Sequence, residues 1–193
     1  MLIVVEGIDG SGKSTQARML YEALLERGYK VSLIYEPTDS EYGEAIRQKL
    51  KSGDYTPLEL YELFLKDREL NAKRILDLMN KGTIVIMDRY FISTIAYQGA
   101  QGIPIDKIVD DHKEMPRPDI IFILDIPPKV ALTRIRPRDT FEVLNFLEDV
   151  RKIYLRIPEI LEAFHCDIYI IDATKTPQEI HREILSRVLE KLG

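Results

Sequence analysis

Few folds can accommodate the octapeptide Gly7-Ile8-Asp9-Gly10-Ser11-Gly12-Lys13-Ser14, which fits G-x-x-x-x-G-K-[ST]. It follows the short apolar run Leu2–Val5 and opens an amphipathic stretch, Ser14–Arg27. Helical spacing puts Ala17, Leu20, Tyr21, Leu24 and Leu25 on one face of that stretch, and Gly28 closes it. A glycine-rich turn between a strand and a helix lets backbone N–H groups face inward and cradle phosphate oxygens at the helix N-terminus. In this pattern Lys13 reaches the β and γ phosphates, and the Ser14 hydroxyl is placed to ligate Mg²⁺. Gly7 through Thr15 are therefore the expected binding residues for a nucleoside triphosphate.

The remaining pattern agrees with that local motif. Val31–Tyr35, Thr83–Met87, Ile120–Leu124 and Ile168–Ile171 are short, rich in Val and Ile, and lie near turn residues. Such runs suit parallel strands buried on both faces, although Val31–Tyr35 is less purely apolar. Helical stretches separate them. Pro57–Lys81 opens with Thr56 as N-cap and ends at Gly82. Thr140–Phe164 is interrupted near Pro158, and Thr176 caps Pro177–Leu192. Alternating strands and helices predict an α/β fold with a parallel sheet. Arg134–Asp139 holds three arginines and a proline, and reads as an exposed, mobile loop between two helices.

Composition narrows the function. A chain of 193 residues suits one domain, 1–193. The formal net charge of −5 argues against coating a nucleic-acid polymer, though not against a local basic pocket for one anion. No apolar stretch approaches the length of a membrane span, and the N-terminal run is too short for a signal peptide. The single cysteine, Cys166, leaves no disulfide framework or cysteine zinc cluster; it reads as a partly buried hydrophobe in a reducing, cytoplasmic setting. His112, His165 and His181 are scattered, read as surface or helix residues, and give no metal cage.

Which reaction would the loop serve? A GTPase switch needs an N/T-K-x-D base reader and a D-x-x-G segment. Thr174-Lys175-Thr176 runs into Pro177, and Asp88-Arg89-Tyr90 into Phe91, so neither is present there. A small chain with its own arginine-rich loop fits a kinase of a small molecule, closing over both substrates and excluding water. Asp88 and Arg89 sit at the carboxyl end of a predicted strand, the edge where ligands bind in open α/β sheets. There an acid can bind Mg²⁺ and an arginine can clamp a phosphate. Taken alone, an Asp-Arg-Tyr triplet reads equally well as a helix cap beside a surface arginine.

The stretch from Asp88 to Gln98, Asp-Arg-Tyr-Phe-Ile-Ser-Thr-Ile-Ala-Tyr-Gln, resembles the signature D-R-[YH]-x-x-S-x-x-A-[YF]-Q of the thymidylate kinase family. Further matches follow in order along the chain: the phosphate loop with Asp9, Glu36-Pro37, Phe64 with Arg68, and Asp139-Thr140-Phe141-Glu142. The resemblance implies a P-loop NTPase fold with a five-stranded parallel sheet in the order 2-3-1-4-5, helices on both faces, and a short lid near 134–142. It implies transfer of the γ-phosphoryl group of ATP to dTMP with Mg²⁺, in a homodimer. By the same resemblance Phe64 stacks on thymine, Arg68 bonds its exocyclic oxygen, and Tyr97 lies under the deoxyribose. Asp9 receives the 3′-hydroxyl, Arg89 holds the acceptor phosphate, Asp88 and Ser14 sit at the metal, and Thr94 and Gln98 line the base pocket. Arg134 packs near adenine, and Arg136 or Arg138 closes on the transferred phosphoryl.

The chain also departs from the family. Gly10 and Ser11 occupy the part of the loop where some members carry an arginine, so the lid must supply it. Tyr35 precedes Glu36 where bacterial members have an arginine, and Thr140 replaces an arginine at the close of the lid. Two other readings remain open at this stage: a sister kinase acting on another nucleotide or on a nucleoside, and a non-enzymatic nucleotide-binding protein.

Overall fold

The computed structural model describes residues 1–135 and 140–193. Strand β1 (Leu2–Glu6) is buried at every position and hydrogen-bonded on both sides. Its parallel partners are β3 (Ile84–Asp88) and β4 (Ile120–Asp125). Outside these lie β2 (Val31–Tyr35) and β5 (Asp167–Asp172), giving the expected order β2-β3-β1-β4-β5 in one five-stranded parallel sheet. The three inner strands are those with the purest apolar runs, because both of their faces are covered. The edge strands β2 and β5 are only partly buried, which accounts for their mixed sequences.

Helix α1 (Lys13–Glu26) buries Ala17, Leu20 and Leu24 against the sheet. Full burial of such a leucine contributes about 1.5–3 kcal/mol. Leu25, assigned above to the same face, is 51% exposed, since it lies about 100° beyond Leu24 around the helix. Helix α2 (Glu41–Ser52) is capped by Ser40, whose hydroxyl accepts from the Gly43 N–H at 3.0 Å. At Gly43 a Cβ would stand 1.9 Å from the Thr38 carbonyl oxygen, so only glycine lets α2 pack this close to the segment after β2.

Helix α3 (Pro57–Asn80) starts with a reciprocal cap. The Thr56 N–H donates to Glu59 at 2.7 Å, and the Glu59 N–H donates to the Thr56 hydroxyl at 3.2 Å. Helices α4 (Phe91–Ala100) and α5 (Ile105–Asp111) follow β3, and α6 (Pro128–Ile135) follows β4. Arg134 therefore closes a helix, rather than opening the loop expected from Arg134 to Asp139. Arg136 and Arg138 lie outside the described residues.

The long pattern before β5 resolves into α7 (Thr140–Leu155), α8 (Ile157–Ile160) and a 3₁₀ turn (Glu162–Phe164). The break falls two residues before Pro158, which lacks the N–H to continue α7. Helix α9 (Pro177–Leu192) runs as expected from Thr176. Helices α2, α4 and α5 have no counterpart in the sequence pattern. In α4 the buried residues include Phe91, Ile92, Thr94, Ile95, Ala96 and Gln98, so no polar face marks it as a helix.

Because all the strands are parallel, their carboxyl ends share one edge of the sheet. Val5 lies opposite both Asp88 and Phe122, which sets the phosphate loop beside Asp88-Arg89-Tyr90. Thr56→Ala removes half of the α3 cap and is expected to lower stability by about 1 kcal/mol, read as a shift in urea midpoint without a change in slope.

Candidate active site

The loop between β1 and α1 leaves donors free for a ligand. Gly12, the N-cap of α1, is left-handed at φ 96° and gives the helix no side-chain cap. The first N–H groups of α1 thus remain available at its positive end. Gly10 is also left-handed, at φ 83°, and a Cβ there would stand 2.5 Å from the Ala131 carbonyl oxygen of α6. The loop is therefore seated directly on the helix that carries Arg134. Lys13 is 6% exposed; its Nζ donates to the Ile8 carbonyl at 2.9 Å and lies 3.8 Å from the Asp9 carboxylate. Burial, reinforced by the Arg89 charge, pushes its pKa down to about 8.

Arg89 is held in a conformation that residues other than glycine seldom adopt, φ 72°. Its N–H donates to the Val5 carbonyl at 3.1 Å, one Nη donates to the Ser93 hydroxyl at 2.9 Å, and the other pairs with the Asp9 carboxylate. Tyr97 supports this pair from α4. Its hydroxyl accepts from the Asp9 N–H at 3.1 Å, and its ring centroid lies 5.2 Å from the Arg89 guanidinium carbon. Desolvation pushes the Tyr97 phenol up to about 12. The backbone strain at Arg89 is sustained because these contacts fix it from several sides.

Beneath them lies Glu6, the fully buried last residue of β1. One of its oxygens accepts from the N–H groups of Tyr90 (2.7 Å) and Ser93 (3.1 Å), capping α4. The other accepts from the Ser93 hydroxyl (2.6 Å) and the Tyr154 hydroxyl of α7 (2.9 Å). Burial raises the Glu6 pKa against the pull of Arg89 and these donors. Sequence reasoning gave Glu6 no role; its one local signal is an acid ending an otherwise apolar strand.

Two cavities meet at this point. One, of about 660 Å³, is lined by Asp9, Gly10 and Gly12 to Thr15 of the loop together with Asp88 and Arg89. The other, of about 330 Å³, is lined by Phe64 and Arg68 from α3, by Thr94, Tyr97 and Gln98 from α4, and by Pro37. Asp9, Glu36 and Arg89 belong to both. Asp9, Gly10, Gly12, Lys13, Ser14 and Thr15 of the expected loop, Asp88, Glu36-Pro37 and the expected base-pocket residues thus line one connected site, whereas Gly7 and Ile8 are buried and line neither cavity, and Ser11 lines only a third. The Glu36–Pro37 peptide bond is cis. Phe146 of α7 also lines the second cavity and was absent from the sequence reading.

A third cavity, of about 450 Å³, continues from the loop past Thr15 and Gln16 to Arg134, Lys175 and Pro177. Arg134 is fixed there, donating to the carbonyls of Gly10 at 3.1 Å and Ala173 at 3.3 Å. Ser14 and Asp88 face the same phosphate-loop cavity. One hydroxyl and one carboxylate are hard oxygen donors suited to Mg²⁺ shared with phosphate oxygens. Among the described residues, no group of three His, Cys, Asp or Glu could hold a metal.

His112 corrects an expectation. It is neither on the surface nor within a helix: it is the C-cap of α5, fully buried, with its Nε2 2.8 Å from Nη1 of Arg68. Its signal was inaccessible to sequence because its partner lies 44 residues away.

Comparison with known proteins agrees with this geometry. The family model described as "Thymidylate kinase" matches residues 5–184. A protein of Archaeoglobus fulgidus named "Probable thymidylate kinase" is 42% identical over 191 residues, covering 95% of this chain and 92% of its own. A "Thymidylate kinase" of Xylella fastidiosa strain M12 is 36% identical over 197 residues, covering 100% of this chain and 88% of its own. A "Probable thymidylate kinase" of Pyrococcus horikoshii is 37% identical over 201 residues, covering 98% and 96% respectively. Among the described residues no helix is long and apolar enough to cross a membrane.

The depressed Lys13 pKa has a measurable consequence. Near pH 9 the free protein holds this lysine largely neutral, and an arriving polyphosphate favours the charged form. Calorimetry of ATP binding in buffers of different ionisation enthalpy is expected to show uptake of close to one proton per site at about pH 9, shrinking towards neutral pH. Lys13→Met should abolish that uptake.

Proposed function

The chain belongs to the thymidylate kinase family, and we propose that it transfers the γ-phosphoryl group of ATP to dTMP, giving dTDP and ADP, on the way to dTTP. The observation that carries the reading is the meeting of a phosphate-loop cavity and a base-sized pocket at Arg89 and Asp9. Phosphates held in the two cavities would both lie beside Arg89, which lines each of them. The acceptor is a phosphate oxygen, already ionised at neutral pH, so the reaction needs positioning and charge neutralisation more than a general base.

In this reading the loop from Gly7 to Thr15 binds the triphosphate, Lys13 stabilises charge on the transferring group, and Arg89 holds the acceptor phosphate. Mg²⁺, held by Ser14 and Asp88 with the phosphates, supplies further charge neutralisation when bound. Asp9 takes the sugar 3′-hydroxyl, Tyr97 lies against the deoxyribose, and Phe64 stacks on thymine. Arg68 reads a base carbonyl, while Thr94, Gln98 and Glu36-Pro37 complete the wall. Arg134 packs near adenine. Arg136 and Arg138 are assigned to the transferred phosphoryl by the family pattern alone.

We read the chain as one kinase domain, 1–193, acting in the cytoplasm, where a free thiol such as Cys166 stays reduced. The homodimer implied by the family belongs to the same proposal. Leu70 and Leu76 of α3 are each close to half exposed and offer apolar area for a second copy.

ADP release with Mg-ATP and one acceptor at a time, across dTMP, dUMP, UMP, dCMP, AMP, GMP and thymidine, tests the reading. A strong preference for dTMP is expected. Preference for thymidine over dTMP would instead select a nucleoside kinase. Tyr97→Ala opens space at the sugar and unpins the Asp9 backbone; the ratio of kcat/KM for dUMP over UMP is expected to fall. An unchanged ratio would remove Tyr97 as the sugar gate.

A further inference from the structure

Arg68 is among the largest fully buried side chains, at 1% exposure, yet it lines the acceptor cavity. A guanidinium has five N–H donors and no acceptor. Nε and Nη2 both donate to the same Glu36 oxygen, at 2.9 and 2.7 Å. Nη1 donates to the Thr94 hydroxyl at 3.2 Å and lies 2.8 Å from His112 Nε2. Four donors are engaged. Among the described residues, one N–H on Nη2 is left.

The roles at His112 follow from its other nitrogen. Nδ1 lies 2.6 Å from the Ile108 carbonyl oxygen, which can only accept, so Nδ1 carries the proton. Arginine is always charged and can only donate, so Nε2 accepts. Both contacts therefore require one neutral tautomer. Burial, with the Arg68 charge beside it, pushes the imidazole pKa down to about 3, which keeps that form throughout the neutral range. Phe91 stacks on the ring at 5.3 Å between centroids and 20° between planes, fixing its orientation.

We propose that His112 is a positioning residue for acceptor-base selection: by accepting from Nη1 it fixes the rotation of Arg68 and leaves a single N–H for a carbonyl on the base. This rests on the reading above, in which Arg68 faces the base. A lone fixed donor suits the C4 carbonyl of thymine or uracil. The amino group at C4 of cytosine would set donor against donor. Glu36 and Thr94 do not complete this, because both Glu36 bonds fall on one oxygen and Thr94 holds Nη1 at 3.2 Å, a longer contact than the 2.8 Å to His112. An apolar residue at 112 would also strand a buried N–H, and the fork would turn to find another acceptor, such as the one a cytosine ring offers.

The test compares His112→Leu with His112→Gln, whose amide oxygen can still accept, and runs Arg68→Ala in parallel. His112→Leu is expected to raise KM for dTMP about tenfold, leave KM for ATP nearly unchanged, and narrow the kcat/KM preference for dTMP over dCMP. His112→Gln should recover most of both. If Arg68→Ala raises KM for dTMP while His112→Leu moves neither KM nor the preference, His112 is only packing and the proposal falls, with the base-reading role of Arg68 intact. If neither variant moves KM for dTMP, that role falls and the proposal with it. Should His112→Leu fail to fold, imidazole nitrogen NMR on the unmodified protein decides. A neutral ring protonated at Nδ1, with an Nε2 resonance that moves on adding dTMP alone, supports the proposal; an imidazolium or the opposite tautomer overturns it.

Discussion

The buried Glu6 carboxylate is the interaction on which the site's arrangement depends. It ends the central strand one residue before the phosphate loop and has no access to water. A carboxylate in such a place is tolerated only if its lone pairs are filled by donors. The donors come from the start of α4, through Tyr90 and Ser93, and from Tyr154 of α7. One desolvated group thus fixes the phosphate loop, the Asp88-Arg89-Tyr90 turn and the helix beyond the arginine-rich segment relative to one another. It also fills the role of an N-cap for α4, because Tyr90 has no side chain able to do so.

Around that anchor the charges are arranged in opposition. Lys13 and Arg89 are cations in one confined, partly dehydrated space; burial and the Arg89 charge lower the Lys13 pKa, while against burial neighbouring phenolic and acidic groups keep Arg89 firmly charged. Asp9 lies between them, paired with Arg89 and close to Lys13, and the two cations hold its carboxyl below the usual carboxylate range against the effect of burial. Phosphate groups entering from either side would replace this internal compensation with charge of the same sign. The protein's own contacts hold the cations in place, Arg89 by Asp9, Ser93 and the Tyr97 ring and Lys13 by the Ile8 carbonyl, an arrangement that keeps reorganisation on substrate binding small. The strained backbone at Arg89 belongs to the same arrangement, since Arg89 lines both cavities with its guanidinium held by Ser93 and Asp9.

The acceptor pocket shows a second use of buried polar groups. Arg68, Glu36, Asn71, Thr94 and His112 form one hydrogen-bonded set drawn from four separate segments. Asp67, one residue before Arg68, ties α3 to the segment after β2 by accepting from the Thr38 N–H at 2.8 Å and from the Ser40 hydroxyl at 2.5 Å. These bonds orient side chains, because an unpaired buried polar group is costly enough to exclude alternative rotamers.

Sequence alone determined whatever depends on neighbours along the chain. The octapeptide at Gly7 specified a strand–loop–helix unit, the apolar runs specified a parallel sheet, and Thr56 and Thr176 marked helix starts, because caps, turns and periodicity are local. The motif around Asp88 marked one edge of the site, and the family pattern gave the strand order. Only the tertiary structure decided how distant residues meet. Glu6 reaches Tyr154 across 148 positions, and Arg68 reaches Glu36 across 32 and His112 across 44. No local pattern encodes those pairings. Helix α4 escaped notice for a related reason: it is buried on several sides, so the polar stripe that reveals a surface helix is missing. A buried polar residue signals its role through the partner that satisfies it, and that partner is chosen by the packing of the sheet and helices rather than by sequence spacing.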